Sequence, residues 1–288
     1  MPKHLWYIYG EAATHMQDSQ QPLTGQRTKF TNPPITELVI ALFHLPLEEL
    51  KAQHIGIYWD RIRNKYPLCE QQAPIQLPDT PPTLSQAPGE VFPLPRFWFH
   101  NTTHPTLIQV QRNAFVLNWR LLPALPNIEY PHYETVAEDF WQEFDNYQTF
   151  VQEYVGGKLD PIQRCELTYV NMITPNELFS STAEARRVLP PLSSLYDIQA
   201  DDRMVAGMIG TVTYRVNPTL LIDLAYRLGQ RVETREVAIG LELKAHGVPG
   251  DLSLDHARGW FDAAHDATYK LFLDATGKEL QERVWKPR

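Results

Sequence analysis

The chain is poor in everything that would announce a familiar chemistry. It holds two cysteines in 288 residues, Cys69 and Cys165. That is too few for a disulfide framework or a cysteine-rich zinc site, and points to reduced thiols in the cytoplasm. No apolar run reaches the roughly 18 residues that a membrane span requires. The N-terminus lacks the basic start, apolar stretch and small-residue cleavage site of a secretory signal. There is no block of like charges that would form a tail for DNA, RNA or membrane. The nucleophile elbow G-x-S-x-G, the phosphate loop G-x-x-x-x-G-K-[ST] and the dinucleotide fingerprint G-x-G-x-x-G are all absent. So are H-x-x-x-H, H-E-x-x-H and D-x-D-x-D, which leaves no metal centre and no cofactor to expect. A formal net charge of −8 argues against broad nucleic-acid binding, which draws its affinity from phosphate neutralisation.

What is present is ordinary globular material, 43% hydrophobic and 21% charged, with enough length for a substantial core. The central stretch Pro161–Pro175, PIQRCELTYVNMITP, alternates like a strand and carries Glu166, Tyr169 and Asn171 among apolar neighbours. It echoes Pro34–Pro46, PITELVIALFHLP: a Pro-Ile pair leads into Glu-Leu, and a further proline follows each Glu at the same interval. After each of these strands the pattern predicts a helix, three strands and a second helix. In the first half, Leu47 to Ile62 reads as the helix, with Pro46 in its first turn and Pro67 beyond its end. Arg96–His100, Thr106–Gln111 and Ala114–Leu121 read as strands, with Arg112-Asn113 as a tight hairpin turn. Tyr133, Val136, Phe140, Phe144, Tyr147, Val151 and Tyr154 form the stripe of the next helix, ended by Gly156-Gly157.

In the second half, Asn176–Val188 reads as a short helix before Pro190-Pro191. Met204–Val216, Leu220–Leu228 and Glu236–His246 read as strands, and Asp255–Leu273 as the closing helix with Ser253 as N-cap. The expected fold is therefore α+β, a tandem duplication of a β-α-β-β-β-α unit with antiparallel sheets covered by helices. The expected divisions are an arm over 1–30, a first repeat over 31–158, a second over 159–277 and a tail over 278–288. Gln71–Pro95, with seven prolines, reads as a long surface loop within the first repeat.

Several side chains are candidates for a site. Trp98, Asn118, Trp119 and Arg120 combine aromatic faces with an arginine, a set suited to stacking or to an interface hot spot. The plainer reading of Trp119 is a core residue. A carboxylate such as Glu166 on an apolar strand could serve as a base; alternatively it pairs with an arginine such as Arg164. Tyr169 and Asn171 have no polar counterparts in the first copy, where Ile40 and Leu42 align, which singles them out. His265 shares a helix face with Asp262 and Asp266 and could be a metal ligand, a general acid or a polar anchor; the plainer reading is a solvated histidine or one packed between domains. Glu166, Asn171, Arg120 and Trp98 are expected to converge in a groove between the halves.

The pieces PPI-x-E (Pro33–Glu37), Q-x-x-x-F-x-x-N-W-R (Gln111–Arg120), Tyr130–Glu134 (YPHYE), ELxYxN (Glu166–Asn171) and W-x-x-x-x-H (Trp260–His265) together resemble a sporadically distributed prokaryotic family of conserved hypothetical proteins. The likeness covers roughly residues 30 to 275 and implies no established activity. Its patchy distribution implies a component of a defence or toxin–antitoxin locus. Two functions follow as expectations. The first is a non-catalytic interaction protein, with a protein partner or a second copy of itself. The second is a small-ligand sensor or enzyme that uses the groove between the repeats.

Overall fold

A computed structural model describes residues 28–77, 94–122, 125, 128–193, 205–232 and 234–288. The expected arm before 28 and most of the proline-rich loop lie outside the described residues. Nine strands form one antiparallel sheet: β1 (Ile35–His44), β2 (Leu68–Gln72), β3 (Arg96–His100), β4 (Thr106–Gln111), β5 (Ala114–Arg120), β6 (Ile162–Ile173), β7 (Met208–Asn217), β8 (Leu220–Gln230) and β9 (Val237–Gly247). Their order across the sheet is β2-β3-β4-β5-β1-β6-β9-β8-β7. The opening strand of each half pairs with the last strand of the same half, and β1 and β6 meet antiparallel in the middle. The two halves thus share one continuous sheet.

Among the described residues the α-helices are α1 (Ala52–Ile62), α2 (His132–Phe150), α3 (Ala185–Val188), α4 (Leu254–Ala275) and the short α5 (Lys278–Leu280). α2, extended by the wide turn Val151–Val155, ends on Gly156 at φ 80°, a conformation that glycine adopts without strain. Ser253 caps α4 by accepting from the His256 amide. Side chains alternate across a strand, so each strand presents one set of residues to each face. Leu38, Ile40, Leu42, Phe115, Leu117, Cys165 and Leu167 face α1, α2 and α4 in one buried cluster. Aromatic rings dominate that contact: Phe115 lies 5.8 Å from Phe140 and 5.1 Å from Tyr147, and Tyr58 lies 5.5 Å from Phe99. The second half packs its own cluster around Ile239, Leu241, Leu243, Phe179 and Trp285. The opposite face is more polar, and there Ala41, Phe43, Ala114 and Val116 form a small cluster with Val39 under Ile75 and Leu77.

Four local expectations needed revision. α1 begins at Ala52 rather than at Leu47. The Leu47 amide bonds the Arg112 carbonyl at the β4–β5 turn, so Pro46–Leu50 serves tertiary packing instead of a helical turn. Gln71 and Gln72 belong to the edge strand β2, a polar segment with no period-two apolar signal. Asn176–Val188 is mostly irregular, with a 3₁₀ turn at Thr182–Glu184 ahead of the one-turn α3. Finally, the last residues are folded: Trp285 is buried between Phe30 and Phe272, at 5.7 and 5.1 Å, and Phe30 bridges Pro287.

Candidate functional site: an aromatic pocket between α2 and α4

The residues proposed from sequence divide between the two faces. Glu37, Asn118 and Arg120 share the uncovered face with Glu166, while Trp119, Tyr169 and Asn171 point to the helical face. Trp98 pairs with Gln109 and lies on the uncovered face as well. Glu166, Arg120 and Trp98 therefore do not converge with Asn171; a strand of alternating side chains cannot turn residues 166 and 171 to the same side.

On the uncovered face, Glu166 is held by Arg164 Nε at 2.6 Å and Lys244 Nζ at 2.9 Å. Its counterpart Glu37 accepts from Asn118 Nδ2 at 2.7 Å, and Gln109 Nε2 donates to Asn118 Oδ1 at 2.6 Å. Arg96 and Arg120 lie over the Trp98 ring at 5.4 and 6.0 Å, and an Arg120 terminal nitrogen lies 3.3 Å from His100 Nδ1. These groups knit neighbouring strands together. Trp119 is buried on the other face, with its ring 5.2 Å from Tyr130.

Tyr169, Asn171 and His265 do meet, on the helical face. They line a cavity of about 110 Å³ between the start of α2, the middle of α4 and the centre of β6, closed by residues 28–35. Each element places its contribution for a local reason. β6 offers Tyr169 and Asn171 as successive residues on one face. α4 offers His265, Thr268, Tyr269 and Phe272, which recur at helical spacing. The chain enters α2 through His132 at φ 71°, a left-handed conformation that costs a non-glycine residue energy. That turn delivers Tyr130 and Tyr133 to the pocket, and His132 Nε2 lies 3.1 Å from an Arg288 terminal nitrogen.

At the centre the Tyr169 hydroxyl is 2.6 Å from His265 Nδ1. The Tyr133 ring stacks on the His265 imidazole at 4.1 Å and 13°, and its hydroxyl donates to Asp262 at 3.0 Å. Tyr269 donates to the Thr28 carbonyl at 2.6 Å, which ties the closing segment to α4. Asn171 Nδ2 donates to the Leu241 carbonyl at 3.1 Å. Desolvation, with the neighbouring Tyr130, Tyr133 and Glu134 adding to it, pushes the Tyr169 phenol well above its ordinary value. Burial likewise raises Tyr130, which is in hydrogen-bonding contact with Tyr169. Both phenols are neutral at physiological pH, so they offer hydrogen bonds rather than a phenolate base.

Thr268 adds an anomaly. It is 1% exposed and lines the cavity, yet its hydroxyl has no hydrogen-bond partner. Buried hydroxyls are ordinarily paired, and this oxygen is closed to solvent, so it carries a desolvation cost that no partner offsets. No sequence signal sets Thr268 and Phe272 apart from the rest of the closing helix. The sequence signals for the pocket were the pair of unmatched polar residues on β6, His265 on the closing helix and YPHYE.

Among the described residues no cluster of His, Cys, Asp and Glu is suited to hold a metal ion, and no helix is long and apolar enough to cross a membrane. No family model, curated protein or solved structure matches the chain.

Proposed function

We propose that the protein binds a small, flat, largely apolar molecule with one polar edge in the pocket between α2 and α4. The carrying observation is the convergence of Tyr133, Tyr169 and His265 on one cavity. The size supports a ligand of about one ring: apolar protein cavities of about 150 Å³ admit benzene. Aromatic walls supply stacking area, and the few convergent polar groups supply orientation. The neutral phenols support recognition over catalysis, so a sensor or carrier role fits better than turnover. The test is a panel of phenol, benzamide, benzamidine and benzoate, read by thermal shift and by ligand-observed NMR. Saturable binding that is lost in His265→Ala and weakened in Tyr169→Phe is expected. Absence of binding across the panel, or undiminished binding in both variants, would refute the proposal.

The same reading extends to the architecture, as a tandem duplication whose two copies meet at β1 and β6. Val39 and Thr168 stand at the same interval as Glu37 and Glu166, and they face each other across the β1–β6 pair. A two-fold relating the halves would pass through that pair. Asn118, opposite Val39, bonds Glu37; Lys244, opposite Thr168, bonds Glu166. The pocket then lies between the equivalent helices of the two copies. The free thiols of Cys69 and Cys165 fit a reducing, cytoplasmic setting. An interaction role has one observation in its favour, the bare sheet edge at β7, taken up next.

A further inference from the structure

The two ends of the sheet differ sharply. β2 ends one side as a five-residue strand of sequence LCEQQ. β7 ends the other as a ten-residue strand, MIGTVTYRVN, exposed over nearly its whole length. Ile209, Val212, Tyr214 and Val216 are 76%, 44%, 41% and 47% exposed. A bare edge presents a row of unpaired amides and carbonyls, and soluble proteins blunt such edges with lysine, proline, bulges or brevity. β7 has no lysine, proline or acidic residue, and its one irregularity lies at the turn, between Arg215 and Asn217. Among the described residues nothing pairs with its outer side.

We propose that two copies of the chain pair through β7, antiparallel about a two-fold axis at Thr213, so that the sheet continues from one copy into the other. The strand is complementary to itself in that register. Val212 stands opposite the partner's Tyr214, and Tyr214 opposite the partner's Val212, two aromatic–β-branched pairs of the kind that stabilise sheets. Thr211 faces the partner's Arg215. The only charges on the strand are the two arginines, which lie four residues apart along the paired strands. That is about 13 Å at the rise of a β-strand, beyond the screening length of about 8 Å at physiological salt. An axis at Arg215 would set them face to face. An axis at Val212 would set Tyr214 against Gly210, whose space the Tyr226 ring already occupies. Head-to-tail growth from β7 onto β2 would leave half of the longer strand unpaired, so the self-pairing closes at two copies.

Sedimentation velocity across the micromolar range tests this, with a mass of two 33.3 kDa chains expected. V212K/Y214K sets like charges opposite each other across the interface. It is expected to raise the dissociation constant about a hundredfold or more while circular dichroism stays near wild type, because Val212 and Tyr214 are 44% and 41% exposed in the single chain. In a Cys69→Ser background, Thr213→Cys is expected to cross-link the two copies with a short thiol reagent and Ile209→Cys is not. A monomeric wild type, an undiminished dimer in V212K/Y214K, or cross-linking at 209 but not at 213 would each overturn the proposal. β7 supplies no residue to the aromatic pocket, so ligand binding and self-association fail or succeed independently.

Discussion

Replacing Thr268 by valine tests the cost of the unpaired hydroxyl beside the pocket. The two side chains have nearly the same shape, so the change trades a hydroxyl for a methyl at a site that is 1% exposed. A buried hydroxyl without a partner forfeits its hydration and costs about 1–3 kcal/mol. Removing it should therefore stabilise the ligand-free protein by about 1–2 kcal/mol, with the buried methyl adding to the gain. For a domain of this size that is a rise of roughly 2–4 °C in Tm per kcal/mol.

Thr276 provides the internal control. Its hydroxyl donates to the Phe272 carbonyl at 2.8 Å and lies 3.0 Å from Gln281 Nε2. Thr276→Val should lose about 1 kcal/mol. Urea unfolding at neutral pH, with equal m-values for all three proteins, reads both differences. Ligand binding in the pocket is expected to be unchanged by the substitution, because the hydroxyl oxygen is closed to the cavity. If Thr268→Val instead destabilises the protein as much as Thr276→Val does, the hydroxyl has a partner and the argument from an unpaired group fails.

Two further predictions concern the scaffold. His44 is buried, and desolvation pulls its imidazole down to about 4, against a weaker opposing hydrogen bond to the Leu45 carbonyl. Its folded value lies below the unfolded 6.5, so the unfolded chain binds the proton first; stability is complete above about 6.5 and falls as pH drops towards 4. The loss attributable to His44 is about 3 kcal/mol at 1.36 kcal/mol per unit. It should vanish from the pH-dependence of urea unfolding in His44→Phe; an unchanged slope would contradict the assignment. Gly247 and Gly210 should respond differently to alanine. A Cβ at 247 would run into the Thr219 backbone carbonyl, which the β7–β8 turn holds in place, whereas one at 210 would meet only the movable end of Tyr226. Gly247→Ala is expected to cost about 3 kcal/mol or more and Gly210→Ala about 1 or less; equal costs in chemical denaturation would show that the turn yields as readily as the side chain.

The amino-acid sequence determined the parts whose cause is local. Apolar periodicity located α2 and α4 and eight of the nine strands. Arg112-Asn113, Ser253 and Gly156 marked a turn and two helix ends through their own backbone and side-chain chemistry. The division of Glu166 from Asn171 also follows from alternation along a single strand, and the expectation of one shared groove overlooked it. β2 was missed because its polar residues owe their conformation to pairing with β3 rather than to any pattern of their own. The joining of two half-sheets into one was decided only in three dimensions, because β1 and β6 lie well over a hundred residues apart and no local signal specifies such pairing. The pocket was decided there too. Tyr133, Tyr169, His265 and Thr268 come from three separate elements, and only the packing of α2 and α4 on one face of β6 brings their rings and hydroxyls together.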